Sequence, residues 1–409
     1  MQHSTKSRQR RNRTISYHAL VRLCLSFPKG ICVLLESPKL LAIFIFTLTL
    51  TIHAQAQWDI EDSHTTASLR GINSVGGGVA WASGTNGTIL RTEDGGFVWQ
   101  LCAIPPGAEK LDFRGIQAFD ANTAIVMSSG KGDLSRLYKT TDGCQTWKLI
   151  FTNPDKEGFW DAIQFNDRNF GVLLGDPVDG KFVIMLTFDG GQKWEKQTLK
   201  STADINGEGA FAASNSSLLL SSTNYRSFGT GGPGGSRIIT VGSGPTDTYQ
   251  QDVSKTKKLP WSSGQYADQL PTHLRTASSG VFSIAEAQHG MGRVAVGGDY
   301  QKPDDRIDTA WHYDVAHYDE VTHSFWVAAH TPPHGFRSAV AYDAQQKLWI
   351  TVGPNGTDIS RDDGRNWTAL KPRKEDAPDA DKNWNALSLP FVVGPNGRIG
   401  KLRPTALKP

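Results

Sequence analysis

One eight-residue pattern recurs four times in this chain, and its spacing restricts the fold more than any other feature. Residues 92–99 read TEDGGFVW, residues 140–147 TTDGCQTW, residues 187–194 TFDGGQKW and residues 360–367 SRDDGRNW. Each fits S/T-x-D-x-G-x-x-W, with Cys144 standing where the second copy should have glycine. The chemistry suits a tight strand–turn–strand closure. The Asp carboxylate accepts backbone N–H groups across the turn, glycine permits the dihedrals, and the Trp packs between neighbouring sheets. Ahead of the first copy, Val79–Ala82 reads as a short buried strand and Thr85-Asn86-Gly87 as a hairpin turn, followed by a second strand over Thr88–Arg91. The tryptophans lie 48, 47 and 173 residues apart, and the last gap holds four periods of about 43. A period of this size, all strand and turn, predicts a β-propeller.

Aligning the strands gives seven units. Their innermost strands start at Gly71, Gly115, Asp161, Gly209, Gly280, Ser338 and Asn385. The last unit, Ala386–Leu402, has three strands and no octet. Trp58-Asp59-Ile60 resembles the residues that follow an octet elsewhere, as in Trp99-Gln100-Leu101. The expectation is an all-β, seven-bladed β-propeller whose N-terminal strand completes the last blade, removing an exposed sheet edge. Units four and five lack the octet and carry insertions, Ser222–Arg237 and Asp299–Thr309, both placed between second and third strands. The linkers Ser262–Ser279 and Lys371–Lys382 precede units five and seven. These two loop classes share one face, where propellers usually bind.

The first 56 of the 409 residues read separately. Leu40–Ile52 is a 13-residue apolar run after Lys39, and Ala54-Gln55-Ala56 offers small residues for cleavage near Ala56-Gln57. This predicts a signal or targeting segment over 1–56 and a propeller over 57–409, placing the protein in the periplasm or outside the cell. The run is short for a membrane span; an uncleaved anchor is the alternative. The leading segment holds eight of the 43 Lys and Arg but one of the 40 acids, so residues 57–409 carry a net charge of −4. The basic pI therefore gives no support for nucleic acid. Cys24 and Cys32 fall in the leader. Cys102 and Cys144 remain in adjacent repeats, and the sequence leaves open a disulfide or two buried thiols.

Four such octets in a seven-fold pattern with glycine-rich hairpins resemble the BNR/Asp-box repeat propellers. The run from Val79 to Trp99 is most similar to photosystem II stability/assembly-factor-like proteins. The resemblance spans nearly the whole of 57–409, as a scaffold. It implies a binding protein that helps assemble a larger complex. Sialidases, xyloglucan-cleaving glycosidases and sortilin-type receptors also carry Asp boxes, so the motif specifies fold far more than function. Within the boxes Asp94, Trp99, Asp142, Trp147, Asp189, Trp194, Asp362 and Trp367 are read as structural, on the face opposite the insertions.

The position before each inner strand holds Arg70, Arg114, Trp160, Glu208, Ser279, Arg337 and Trp384. A ring of these at the channel mouth would bind an anion or stack on a sugar or aromatic group. The alternative is that the arginines bridge blades and the tryptophans pack the rim. Asp176 and Asp299 add carboxylates on the same face. The resulting expectation is a non-catalytic, monomeric module that recognises an envelope or secreted protein, or a glycan. Its ligand contacts would be Arg70, Arg114, Trp160, Glu208, Arg337, Trp384, Asp176 and Asp299. The competing class is a sialidase-like glycoside hydrolase using Glu208 and Asp176. The near-matches Phe113-Arg114-Gly115 and Phe336-Arg337-Ser338 lack the Pro of a sialidase start, and no Tyr–Glu nucleophile pair is identifiable. No cofactor or metal is expected. His312 and His317 are five apart, His289 and His334 are isolated, and the glycine-rich 229–235 stretch lacks the Lys-Ser/Thr of a phosphate loop.

Overall fold

The computed structural model describes residues 57–197, 199, 207–221, 225–242, 264–287, 292–317, 319, 325–374, 376–403 and 407. The leader 1–56 with its apolar run and Cys24 and Cys32, parts of the expected insertions and linkers (222–224, 262–263 and 375), and His289 lie outside the described residues. Among the described residues, twenty-eight strands form seven four-stranded antiparallel sheets, and there is no α-helix.

Blade one is β2 (Leu69–Gly76), β3 (Val79–Gly84), β4 (Ile89–Thr92) and β5 (Gln100–Leu101); blade two is β6 (Phe113–Ala118), β7 (Ala124–Ser128), β8 (Arg136–Thr140) and β9 (Lys148–Thr152). Blade three comprises β10 (Trp160–Phe165), β11 (Gly171–Val178), β12 (Lys181–Thr187) and β13 (Glu195–Gln197). Blade five comprises β18 (Ser279–Glu286), β19 (Arg293–Asp299), β20 (Ala310–Tyr313) and β21 (Trp326–Ala328). Blade six is β22 (Ala339–Asp343), β23 (Leu348–Gly353), β24 (Gly356–Ser360) and β25 (Thr368–Ala369). The second strands are the most buried: Ala124–Ser128 and Leu348–Gly353 have no exposed position, because each is covered by a blade on either side.

Blade seven closes the ring. Its own strands β26 (Ala386–Ser388), β27 (Phe391–Val393) and β28 (Ile399–Leu402) are joined by the N-terminal β1 (Trp58–Glu61), which pairs Trp58 with Leu402 and Glu61 with Ile399. Trp58 is buried against Trp384 and donates from Nε1 to Thr357 Oγ1 at 3.1 Å.

Blade four departs from the expected register. Its innermost strand is β14 (Leu218–Leu220), not Gly209–Phe211, and it pairs with β15 (Tyr225–Gly229), followed by β16 (Arg237–Gly242) and β17 (Gly264–Gln269). Part of the stretch expected to be an insertion between second and third strands, Tyr225–Gly229, is therefore the second strand itself. Leu218 and Leu220 supply the apolar side chains that pack against blade three, Leu219 packs toward blade five, and 207–217 is left over ahead of the strand.

The four octets all close the turn between third and fourth strands in one way. Thr92, Thr140, Thr187 and Ser360 donate their hydroxyls to Asp94, Asp142, Asp189 and Asp362 at 2.8–3.0 Å. Each hydroxyl accepts the N–H four residues on, and each Asp accepts the N–H four residues beyond itself, just ahead of the fourth strand. Both turn residues after the Asp have positive φ. Cys144, in the second copy, takes φ 65° and is bonded to Cys102 of blade one. The Trp residues wedge between blades: Trp147 meets Trp81 edge-on, Trp99 meets Phe391, and Trp194 stacks on Phe151.

Inner strands have an edge facing the channel, and side chains of the preceding blade cap it. Asn73 accepts the Ala118 N–H at 2.8 Å, Gln117 that of Phe165 at 3.1 Å, and Gln164 that of Leu220 at 3.2 Å. Ser283 does so for Val340 and Ser388 for Ser74. The ring is thereby stitched around its own channel.

Candidate functional site at the channel mouth

Near its start, each of four inner strands carries a β-bulge, and the bulge decides what faces the mouth. The extra residues are Arg70, Arg114, Asp161 and Phe282, in blades one, two, three and five. The residues immediately before them, Leu69, Phe113, Trp160 and Val281, are fully buried between blades. Backbone bonds assign blades six and seven to the same scheme. Leu69 N–H donates to Gly394 of the preceding blade, as Arg337 does to Gly297 and Trp384 to Gly353. Arg337 and Trp384 thus hold the buried position, and Ser338 and Asn385 follow them as Arg70 follows Leu69, with Ser338 buried and donating to the Val352 and Trp384 carbonyls.

The structure divides the sequence candidates accordingly. Arg70 and Arg114 stand at the mouth. Trp160 stacks on Phe151 in the core, and Trp384 packs between Trp58 and the Arg398 guanidinium. Arg337 is fully buried on Asp358, with Nε 2.9 Å from Oδ2 and Nη1 on the Phe336 carbonyl. Ser279 is buried beside Thr276, and Asp299 is buried, where it accepts from Thr276 Oγ1 at 3.1 Å and ties down the linker ahead of β18. Glu208 is 2 % exposed and bound by the Arg237 guanidinium, with Nε 2.8 Å from Oε1. Asp176 accepts the Ala210 N–H at 3.0 Å. Among the described residues, no three His, Cys, Asp or Glu side chains gather as a metal would need.

At the mouth, two arginines share one carboxylate. Arg114 Nε lies 2.8 Å from Asp112 Oδ2, while Arg70 Nε is 3.9 Å from Oδ1, too long for a hydrogen bond. Arg70 Nε and Asp112 Oδ1 are buried without a hydrogen-bond partner. The two arginine side chains remain 32 % and 28 % exposed, and two guanidinium groups against one carboxylate leave an excess of one positive charge. Next to them Asp161 is buried, and its Oδ2 also lacks a partner. Burial pushes the Asp161 carboxyl well above the usual carboxylate range, and the neighbouring Asp176 adds to the effect while Arg114 opposes it. Asp176 is likewise raised by burial.

The far side of the mouth is aromatic. The Phe282 ring lies flat on Phe211, with centroids 3.9 Å apart, and meets Phe336 edge-on at 4.7 Å and Tyr300 at 6.1 Å. Phe211 belongs to the leftover segment of blade four, which crosses the mouth. Gly209 pairs with Gly231 through two 3.0 Å bonds, Ala212 accepts from Arg114 at 3.3 Å, and Asn215 donates to the Ile116 carbonyl at 2.7 Å. Beyond Ser214–Ser216 lies a cavity of about 290 Å³ lined by Asn73, Gln117, Gln164 and Ser388.

The sequence reading missed Asp112, Asp161, Phe211, Phe282 and Phe336. A signal was present. The starts Leu69-Arg70-Gly71-Ile72, Phe113-Arg114-Gly115-Ile116, Trp160-Asp161-Ala162-Ile163 and Val281-Phe282-Ser283-Ile284 share an apolar–x–small–Ile step. Aligning on that step places x at the mouth in every case.

No protein-family model and no curated protein matches the sequence. Solved structures do. The chain is similar to YCF48 bound to a D1 peptide, at 15 % identity and TM-score 0.57 over 85 % of this chain and 96 % of that one. It is equally similar to YCF48 from Cyanidioschyzon merolae, at 18 % identity and TM-score 0.57 over 85 % and 99 %. A GH74 xyloglucanase from Xanthomonas campestris gives 14 % identity and TM-score 0.50, covering 85 % of this chain and 53 % of that one. What they share is the seven-bladed propeller. The shared fold by itself assigns no chemistry.

Proposed function

We propose that this protein is an exported binding module that captures a segment of a protein partner at the channel mouth, without catalysing a reaction on it. One observation carries the reading: Arg70 and Arg114 share a single carboxylate, Asp112, and keep part of each side chain exposed on a mouth whose far side is aromatic. Such a surface favours an acidic segment with apolar content. The peptide held by the similar YCF48 propeller agrees with a protein ligand. Export is supported by the apolar run Leu40–Ile52 and by the Cys102–Cys144 disulfide, since such bonds persist in oxidising compartments. A hydrolase would need two carboxylates presented across an open cleft, and Glu208 is committed to Arg237.

The test is a synthetic peptide array of acidic, basic and neutral segments probed with the parent chain and with Arg70→Ala/Arg114→Ala. Acidic peptides retained by the parent and lost by the pair, at unchanged thermal stability, are expected. Equal retention would remove the arginines from the site. An oligosaccharide panel scored for released reducing ends runs beside it, with Glu208→Gln as control. Turnover lost in that control would make the protein an enzyme.

A further inference from the structure

We infer that residues 207–213 form a strap that occupies the binding site as an internal pseudo-ligand. The inference rests on the mouth being a peptide site, as proposed above. It adds that the partner is an extended peptide bearing an aromatic side chain, which must displace the strap.

The strap makes the contacts such a peptide would make. Its backbone pairs in β fashion, with Gly209 N–H to the Gly231 carbonyl and Gly231 N–H back to Gly209, both at 3.0 Å, and Gly231 bridges onward to Gly280 of blade five. Strand addition of this kind gives affinity from the main chain, and side-chain pockets supply selectivity. Two side chains read the strap backbone on either side of its aromatic residue: Asp176 accepts the Ala210 N–H, and Arg114 donates to the Ala212 carbonyl. The same Arg114 belongs to the exposed arginine pair.

The aromatic slot is specific to a flat ring. Phe211 lies on Phe282, over a floor made by Gly231 and Gly280. A Cβ at either glycine would fall 2.7 or 2.6 Å from the Phe211 ring, so these positions are open only because both residues are glycine. Phe211 itself remains partly exposed, as a ring seated in a surface slot rather than in a core. Ordinary inner-strand packing does not explain the segment, because blade four builds its inner strand from Leu218–Leu220 downstream.

An internal occupant lowers the apparent affinity for an external peptide by the fraction of molecules in which the site is open. The experiment uses the full chain and a fluorescein-labelled peptide of the strap's own residues 207–214, with fluorescence anisotropy as readout. Phe211→Ala, which vacates the slot, should bind this peptide about tenfold more tightly than the parent, since the peptide ring replaces a lost aromatic contact. A peptide with Ala in place of the Phe should lose that gain. Hydrogen exchange on the unmutated chain gives an independent readout that needs no variant to fold. Saturating peptide should speed exchange of the Ala210 amide as the strap leaves. Equal affinity for parent and Phe211→Ala, with no change at Ala210, would overturn the pseudo-ligand inference while leaving the mouth as a peptide site. Failure of the arginine pair in the array above would instead remove the underlying reading.

Discussion

Arg337 is held on Asp358 in the core of blade six, with Nε 2.9 Å from Oδ2 and neither side chain reaching solvent. Asp358 also receives His334 Nδ1 at 2.5 Å, and Arg337 Nη1 bonds Asn355 as well as the Phe336 carbonyl. This arginine is part of the fold, whereas Arg114 is part of the surface. Breaking a buried pair by removing one partner leaves an uncompensated charge and costs about 3–5 kcal/mol. Arg337→Ala should therefore lower the denaturation midpoint severely. Arg114→Ala, at a partly exposed pair, should cost about 1 kcal/mol or less. Urea titrations of the two variants check this. Arg337→Met with Asp358→Leu should recover most of the loss, because it removes both charges together.

The disulfide gives a second prediction. Cys102 and Cys144 are 42 residues apart and join the end of blade one to the third-to-fourth-strand turn of blade two. Closing a loop of that length restricts the unfolded chain by about 4 kcal/mol in the chain-entropy model. Cys102→Ala/Cys144→Ala should lose about 2–4 kcal/mol of stability, measured by denaturation under non-reducing conditions. Cys144 adds a separate effect because it sits at φ 65°. Cys144→Gly with Cys102→Ala should lose less than the double alanine, since glycine adopts that conformation without strain.

These contrasts mark what the sequence could and could not reveal. Octet spacing yields seven blades because the same turn geometry recurs wherever Thr or Ser, Asp and Trp keep their offsets. The closing strand is legible because Trp58 repeats the position of Trp99. Trp160, Arg337 and Trp384 mislead because they occupy the buried position of Leu69 and Phe113, whereas Arg70 and Arg114 are bulge residues one place further on; a one-residue slip of this kind exchanges the buried and mouth-facing sides. Blade four misleads for another reason. Gly209-Ala210-Phe211 has the small–apolar look of an inner strand because it does pair with backbone, but it pairs across the mouth. Nothing local distinguishes the two partners.

The buried carboxyls set a pH dependence. Glu61, on the closing strand, accepts from Trp99 Nε1 at 2.7 Å, and burial raises its pKa from 4.5 to about 7 despite that bond and Lys401. Burial also takes Asp268 from 3.8 to about 7. In each case the folded protein keeps a proton that the unfolded chain has already released between roughly pH 4 and 7. Stability accordingly falls as pH rises through that window. Asp142 works in the other direction. Its bonds from Thr146 hold it at about 2, so its contribution is present above 3.8 and disappears as pH falls toward 2. The melting temperature should peak near pH 4 and decline on both sides. Glu61→Gln keeps an acceptor for Trp99 and should flatten the neutral limb by on the order of 1–2 kcal/mol, a figure discounted for partial exposure. Calorimetric scans from pH 3 to 8 on parent and variant decide it. An unchanged neutral limb in Glu61→Gln would show that Glu61 does not titrate there.

Ring closure makes the last prediction. β1 contributes four residues to blade seven, anchored by the Arg403 guanidinium on Asp59 and by the Arg403 N–H on the Gln57 carbonyl at 3.0 Å. Its one large buried side chain is Trp58, which fills the space between Trp384 and blade six. Trp58→Ala should cost about 3–5 kcal/mol through the cavity it leaves. A chain beginning at residue 62 should lose more, because β28 then presents an unpaired edge as well as the cavity. That edge is a defined template. A synthetic peptide of residues 57–61 added in trans should pair with it and raise the melting temperature in proportion to the logarithm of its concentration once binding saturates. The same peptide should leave the parent unaffected, because its edge is already filled. If the shortened chain melts with the parent's temperature and cooperativity, β1 contributes no stability, and the ring is held by the side chains that cap the inner strand edges around the channel.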